Sequence, residues 1–135
     1  MKLLRALLIG LGIALLLNAC ANTPPRITAT TMGTTVDAGK IVNPTTTFKP
    51  ADHSIYIVVD VENVLGGTPL GVKWYAVNTP NAKNQLLLEN QVNLDPLNTS
   101  GEFALTSSSD FAPGKYKVVV YLNGQEDRTV EFEVK

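Results

Sequence analysis

The clearest indication of the fold is the segment FAPGKYKVVVYL, at residues 111–122. From residue 116 onward, apolar or aromatic residues stand at every second position, and one face carries Tyr116, Val118, Val120 and Leu122. Because successive side chains of a strand point to opposite faces, this period predicts a half-buried β-strand. Pro113 and Gly114 precede the alternation and favour a bend where the strand begins.

The same period of two recurs along the chain after residue 53. It is strong at residues 55–61, 70–76 and 128–134, and weaker at about 85–94 and 102–106. Asn123-Gly124 begins the connection to the last strand and is a strong hairpin signal. Roughly six to eight short strands, with no helical spacing outside the first 20 residues, predict an all-β antiparallel sandwich.

Two features of these strands resemble the immunoglobulin and fibronectin type III group of sandwiches. Trp74 lies in the strand predicted at residues 70–76, which is the third when an edge strand at about residues 27–32 is counted. Residues 111–118 follow about forty residues later. The resemblance implies that Trp74 fills the core and that Tyr116 forms a tyrosine corner. Val118 stands where antibody domains carry the second cysteine of their inter-sheet disulfide, so packing alone would join the sheets. The implied fold is an immunoglobulin-like sandwich of about seven strands.

The start of the chain has the layout of an export signal. Lys2 and Arg5 precede an uncharged apolar run at residues 6–17. A helix of that length spans about 18 Å of the roughly 30 Å hydrocarbon core, so a signal peptide over residues 1–19 is expected and not a membrane span. Residues 17–20, Leu-Asn-Ala-Cys, resemble a bacterial lipobox. That resemblance implies cleavage before Cys20 and its fatty acylation; an ordinary secretory signal with an incidental cysteine is the alternative.

Two further segments are expected after the signal peptide. Residues 20–45 would form a tether that starts at the lipidated Cys20 and is rich in Thr and Pro. A first, edge strand at about residues 27–32 and a fully disordered, flexible stalk are both compatible with this composition. The sandwich would follow at residues 46–135. Because Cys20 is the only cysteine, the sandwich is expected to have no disulfide.

Charge and composition argue against several classes of function. Without residues 1–19 the chain has nine Lys and Arg against twelve Asp and Glu, a formal charge of −3, and it has no basic patch. Nucleic acid is therefore not an expected partner. The single histidine, His53, stands beside Asp52, but no Gly-x-Ser-x-Gly motif accompanies it. We expect no catalytic residues, no cofactor and no enzyme activity.

Metal binding is not expected either. Zinc needs three or four converging ligands, and the chain offers one histidine and scattered acids. Calcium is the weaker alternative, bound by Asp60 with Glu62 or by polar residues of the loop 123–127. Neither set has the Asp-x-Asp-x-Asp-Gly spacing, and a solvated strand face and a polar turn explain them as well.

One sheet face and two loops are the candidates for recognition. If the third, sixth and seventh strands share a sheet, as the resemblance implies, the outward face carries Lys73, Tyr75, Val77, Lys117, Val119 and Tyr121. Tyrosine suits interfaces because it buries a large area and keeps a polar tip, although such residues also stabilise cross-strand pairs. The candidate loops, expected at one end of the sandwich, contain Leu65, Gly66, Gly67, Asn123 and Gly124.

Together these observations predict a membrane-anchored lipoprotein of the cell envelope that acts as a non-enzymatic protein-interaction or structural module. Its expected partners are the lipid bilayer, through Cys20, and an unidentified envelope protein or polymer. Ala21 and Asn22 follow Cys20 in place of an inner-membrane Asp, so the outer membrane is expected in a diderm organism. The alternatives are a carbohydrate- or peptidoglycan-binding module that stacks sugars on Trp74 and exposed tyrosines, and an inhibitor of an exogenous hydrolase that uses the candidate loops.

Overall fold

Ten β-strands form in residues 23–135, the part of the chain that the computed structural model describes. The strands are β1 Arg26–Gly33, β2 Thr35–Asp37, β3 Lys40–Val42, β4 Thr47–Phe48, β5 Ser54–Glu62, β6 Thr68–Asn78, β7 Lys83–Leu94, β8 Ser100–Thr106, β9 Gly114–Leu122 and β10 Gln125–Val134. A short 3₁₀ turn, Pro50–Asp52, precedes β5. The predicted signal peptide and Cys20 lie outside the described residues. Within residues 23–135, no helix is long and apolar enough to cross a bilayer.

The strands form two packed sheets and a small hairpin. One sheet has the order β1-β5-β8, and the other has the order β4-β10-β9-β6-β7. Neighbouring strands are antiparallel except β4, which runs parallel to β10. The predicted immunoglobulin-like sandwich is confirmed. The strands expected as the third, sixth and seventh are β6, β9 and β10, and they share one sheet as the resemblance implied. Asn123 and Gly124 both have positive φ and form the two-residue turn between β9 and β10.

The core contains the apolar faces predicted from the alternation. Trp74 is 0% exposed, and the inward side chains of β5, β6 and β9 are buried around it. Phe132 organises the aromatic part of this core: its ring centre lies 5.7 Å from that of Phe48, 5.9 Å from Trp74 and 5.3 Å from Tyr116. The first two pairs meet edge to face and the third is stacked, which are the favoured aromatic geometries. Aromatic packing thus joins β4, β6, β9 and β10.

A tyrosine corner fixes the start of β9. The Tyr116 hydroxyl donates a hydrogen bond of 2.6 Å to the Ala112 carbonyl, four residues upstream. Gly114, between them, has φ +147°, and a Cβ there would lie 2.3 Å from the Asn78 carbonyl oxygen. Only glycine can occupy this position without moving the backbone. Burial raises the pKa of the Tyr116 hydroxyl above its ordinary value of 10.0.

The sandwich begins earlier in the chain than the sequence suggested. Strand β1 pairs with β5 from Arg26 onward, and Ile27 and Met32 are buried in the core, so residues 26–45 belong to the folded domain. The expected boundary at residue 46 is therefore replaced by one at Arg26. Strands β2 and β3 form a hairpin that contacts β5. Val58, on the face of β5 opposite the core residues Ile57 and Val59, is also buried.

Candidate interaction surfaces

The six residues of the candidate interaction face meet on adjacent strands β6 and β9. Tyr75 lies directly opposite Lys117, and Lys73 lies opposite Val119. The Lys117 Nζ stands 5.1 Å from the centre of the Tyr75 ring, and the Lys73 Nζ stands 4.9 Å from the centre of the Tyr121 ring. The spacing of the sequence indicated a shared face; the two cation–π pairs were not foreseen.

This face is less open than its sequence suggested. Val119 is only 4% exposed, because it lies in a central strand between Lys73 of β6 and Thr129 of β10. The expectation that Val119 faces solvent is therefore wrong. The Lys73 ammonium is also 3.9 Å from the Glu89 carboxylate of the neighbouring strand β7, so it forms an ion pair within the sheet. The lysines and tyrosines stabilise one another across strands as well as forming a surface.

Strand β7 carries the largest group of exposed apolar side chains in a strand of residues 23–135. Its sequence predicts only a weak strand, at about residues 85–94. Its exposed members are Leu86, Leu87, Leu88 and Val92. Among the described strands, β7 pairs with β6 alone, so the backbone N–H and C=O groups of its other edge have no strand partner. A long apolar edge of this kind is a template for pairing with another chain.

A β-bulge explains why these leucines escape the core. Trp74 of β6 pairs with Leu88, but the next residue, Tyr75, pairs with Leu86, so Leu87 is the extra residue. The bulge interrupts the alternation that a buried face requires. The sheet β1-β5-β8 has three strands and packs against a sheet of five. It leaves β7, at one edge of the larger sheet, almost entirely exposed. The run of three leucines was the available signal, and without alternation it did not indicate which face would be covered.

Three loops gather at the end of the sandwich where β1 begins, which we call the N-terminal end. Strand β1 starts at Arg26 opposite Glu62, the last residue of β5. The loops 63–67, 95–99 and 123–124 are joined there through hydrogen bonds from Gly67 N to Leu94 O (3.0 Å), Val61 N to Thr99 O (2.9 Å) and Asn123 N to Pro69 O (3.0 Å). The candidate loops thus lie at the same end of the fold. Leu65 is 53% exposed and Leu97 is 100% exposed.

His53 does not pair with its sequence neighbour. Its Nε2 lies 3.0 Å from the carboxylate of Asp110, whereas Asp52 accepts a 2.7 Å hydrogen bond from the Lys49 amide. The His53 carbonyl accepts from the Ser107 amide at 2.9 Å, so the residue joins two exposed loops. Throughout residues 23–135, no three His, Cys, Asp or Glu side chains are close enough to hold a metal ion.

Comparisons with known proteins identify the fold class. No family model matches the chain, and neither does any curated protein. Among solved structures it is similar to an immunoglobulin-like protein from Pseudomonas aeruginosa, with a TM-score of 0.61 and 16% identity over 85% of this chain and 99% of that one. The fold therefore belongs to the class of immunoglobulin-like sandwiches. At this identity the likeness extends to the fold alone.

Two larger enzymes contain a region of weaker likeness. One is an alkylpurine DNA glycosylase from Pseudomonas fluorescens, with a TM-score of 0.49, 11% identity and coverage of 82% of this chain and 30% of that one. The other is a β-glucosidase from Listeria innocua, with a TM-score of 0.48, 15% identity and coverage of 83% and 16%. The chain spans less than a third of either enzyme, and neither match bears on its function.

Proposed function

We propose that the protein is a lipid-anchored, non-enzymatic interaction module of the cell envelope. The immunoglobulin-like fold fits a module of this kind. The observation that carries the proposal is the apolar, unpaired edge of β7, which supplies both backbone hydrogen-bonding groups and exposed leucines. Most single exposed apolar residues need no explanation, but a contiguous group on a sheet edge marks an interaction site.

The proposed partner of β7 is an extended segment of another envelope protein that adds a strand beside it. Main-chain hydrogen bonds would supply affinity, and alternate side chains would supply specificity. Leu86 stands beside Tyr75, and Glu89 stands beside Lys73, so the β7 edge continues into the candidate interaction face. A partner strand bound there would therefore contact leucines first and the Lys–Tyr pairs at its margin.

Photo-crosslinking tests this docking surface. A photoreactive amino acid at position 86 should capture a discrete envelope protein in intact cells. The matched control is position 102, which is exposed on β8 in the other sheet. Equal capture from both positions, or no capture from position 86, would count against docking at β7. A product of twice the protein's own mass would replace the proposed partner with a second copy of this chain.

Anchoring rests on the lipobox at residues 17–20 and on the position of the first strand. Arg26 lies six residues beyond Cys20, and six extended residues reach about 20 Å at most. Two acyl chains suffice for stable anchoring. A Cys20→Ala variant should leave the membrane fraction, and its continued sedimentation with membranes would contradict the anchor. The residues after Cys20 favour the outer membrane in a diderm organism.

The carbohydrate-binding alternative loses its best platform. Trp74 is fully buried, so its indole ring cannot stack on a sugar. The rings of Tyr75 and Tyr121 remain on the surface, but each has a lysine ammonium over it. The inhibitor alternative uses loops of the N-terminal end, which a short tether would hold close to the bilayer. We therefore favour the interaction module over both.

A further inference from the structure

Two of the most exposed leucines in residues 23–135 project from neighbouring loops at the N-terminal end. Leu65 lies in the loop between β5 and β6, and Leu97 lies at the tip of the loop between β7 and β8. Both loops are ordered by local hydrogen bonds. The Thr68 hydroxyl donates to the Leu65 carbonyl at 2.7 Å, and the Asp95 carboxylate accepts from the Leu97 amide at 2.8 Å. These hydrogen bonds order the backbone at both leucines, and their side chains face solvent.

The chain reaches the folded domain at this same end. Arg26 pairs with Glu62 through side chains, with Nε donating to Oε1 at 2.6 Å. The Ile27 carbonyl accepts a 2.9 Å hydrogen bond from Arg128 of the opposite sheet. The start of β1 is therefore fixed to both sheets. Any anchor at Cys20 is separated from the two leucine loops by a linker of five residues, 21–25.

We propose that the N-terminal end of the sandwich rests on the bilayer, with Leu65 and Leu97 inserted into its interfacial region. The inference rests on the proposed acylation of Cys20, because the acyl chains bring this end to within about 20 Å of the lipid. Apolar side chains that reach the boundary between headgroups and acyl chains gain the free energy of leaving water. The two leucines and the acyl chains then fix the orientation of the domain.

The charged residues at the N-terminal end do not favour attraction to anionic lipid, so the contact with lipid is expected to be apolar. The charged residues beside the three loops are Arg26, Glu62, Asp95, Glu126, Asp127 and Arg128. Acids outnumber the bases, and Arg26 and Arg128 are already engaged with Glu62 and Asp127. Attraction to anionic headgroups requires basic residues near the surface. The contact should therefore form on neutral phosphatidylcholine and gain nothing from anionic lipid.

Depth-dependent fluorescence quenching tests the orientation on the full mature protein in phosphatidylcholine vesicles. With the Cys20 sulfur acylated, an introduced cysteine is the only free thiol and can carry a fluorophore. Gln125→Cys places the label at the N-terminal end, and Ser108→Cys places it in the exposed loop before β9, at the opposite end. Quenchers carried on lipids should quench the first label roughly threefold more strongly than the second, since a nine-residue strand separates the ends by about 30 Å.

A matched set of leucine variants isolates the contribution of the two loops. Leu65→Ser with Leu97→Ser should reduce quenching at position 125 by about half, because serine loses the apolar contact with lipid. Val42→Ser is the control: this side chain is 40% exposed, but it lies on β3 beside Gly33, the last residue of β1, away from the N-terminal end. It should leave quenching unchanged. Trp74 emission reports whether each variant remains folded.

The possible outcomes separate this inference from the anchor itself. Vesicle-bound protein with equal quenching at positions 125 and 108 would overturn the proposed orientation while leaving acylation intact. The double variant Leu65→Ser, Leu97→Ser would also overturn the proposed orientation if its label were quenched as strongly as that of the parent. Protein that does not sediment with vesicles at all would overturn the anchor and the orientation together. A gain in quenching on anionic vesicles would overturn the apolar character of the contact.

Discussion

Removal of one hydroxyl group, in Tyr116→Phe, tests how much the tyrosine corner stabilises the sandwich. The ring would stay stacked on Phe132, with a centre-to-centre distance of 5.3 Å. The 2.6 Å hydrogen bond to the Ala112 carbonyl would be lost in a side chain that is 4% exposed. Loss of such a bond, with its acceptor left unpaired, costs about 1–3 kcal/mol. We expect the free energy of unfolding at pH 7 to fall by about 2 kcal/mol.

The same variant should respond differently to alkaline pH. Because burial raises the pKa of Tyr116, the folded chain keeps the phenol proton at pH values where the unfolded chain releases it. The stabilisation is fully present below about pH 10 and is lost as the pH rises through the folded-state pKa. Phenylalanine has no proton to lose. The difference in stability between parent and variant should therefore shrink above about pH 10.

Urea unfolding followed by the emission of Trp74 measures both effects, because Trp74 is the only tryptophan. Tyr121→Phe is the matched control, since its ring packs under Lys73 on the surface and not in the corner. That change should stay within about 0.5 kcal/mol of the parent. A Tyr116→Phe variant as stable as the control, or a stability gap that widens with alkaline pH, would refute the role assigned to the corner.

Three further predictions concern the core and its turns. Gly114→Ala should cost about 3 kcal/mol or more, because the new Cβ meets the Asn78 backbone, whereas Gly124→Ala, with open space around it, should cost about 1 kcal/mol in urea unfolding. Phe132→Ala should cost about 3–5 kcal/mol, since it removes three aromatic contacts at once; a loss under about 1 kcal/mol would contradict its central place. Trp74 emission should be blue-shifted and resist a dissolved quencher such as iodide, and ready quenching would mean that the indole is exposed.

The fold was predictable in strands that bury one whole face and in turns whose residues suit the backbone conformation. Strands β5, β6 and β9 bury one face completely, so their apolar residues alternate and the sequence reveals them. A two-residue hairpin turn requires positive φ at both of its positions, and Asn123 and Gly124 adopt positive φ readily. The tyrosine corner at Tyr116 was implied by the resemblance to immunoglobulin-like sandwiches, and the hydrogen bond to the Ala112 carbonyl forms it.

The remaining elements depend on tertiary contacts that local sequence does not encode. Threonine alternation in β1 fits a strand and a stalk equally well, and only the burial of Ile27 and Met32 decides between them. Val58 lies on the face of β5 that points away from the core, yet it is buried, and the β2–β3 hairpin contacts this strand. A three-residue strand is too short to give a periodic signal.

The candidate surfaces were predictable only in part. Alternation placed Tyr75, Lys117 and their neighbours on one face, but the closeness of each lysine to a ring depends on strand register. The sequence did not predict the exposed apolar edge of β7. The bulge at Leu87 interrupts the alternation of apolar and polar residues that would show which side chains face solvent. The end of the sandwich nearest the proposed anchor depends on where β1 begins, and local sequence does not show that β1 begins opposite Glu62.

The mass of the N-terminal peptide, from protein isolated from the envelope of its own cells, decides whether the chain is lipid-anchored at Cys20. We expect a peptide that begins at Cys20 and carries fatty acyl groups attached through its sulfur. A peptide that begins at another residue, or that begins at Cys20 with a free thiol, would contradict the lipid anchor and the membrane-facing orientation that depends on it.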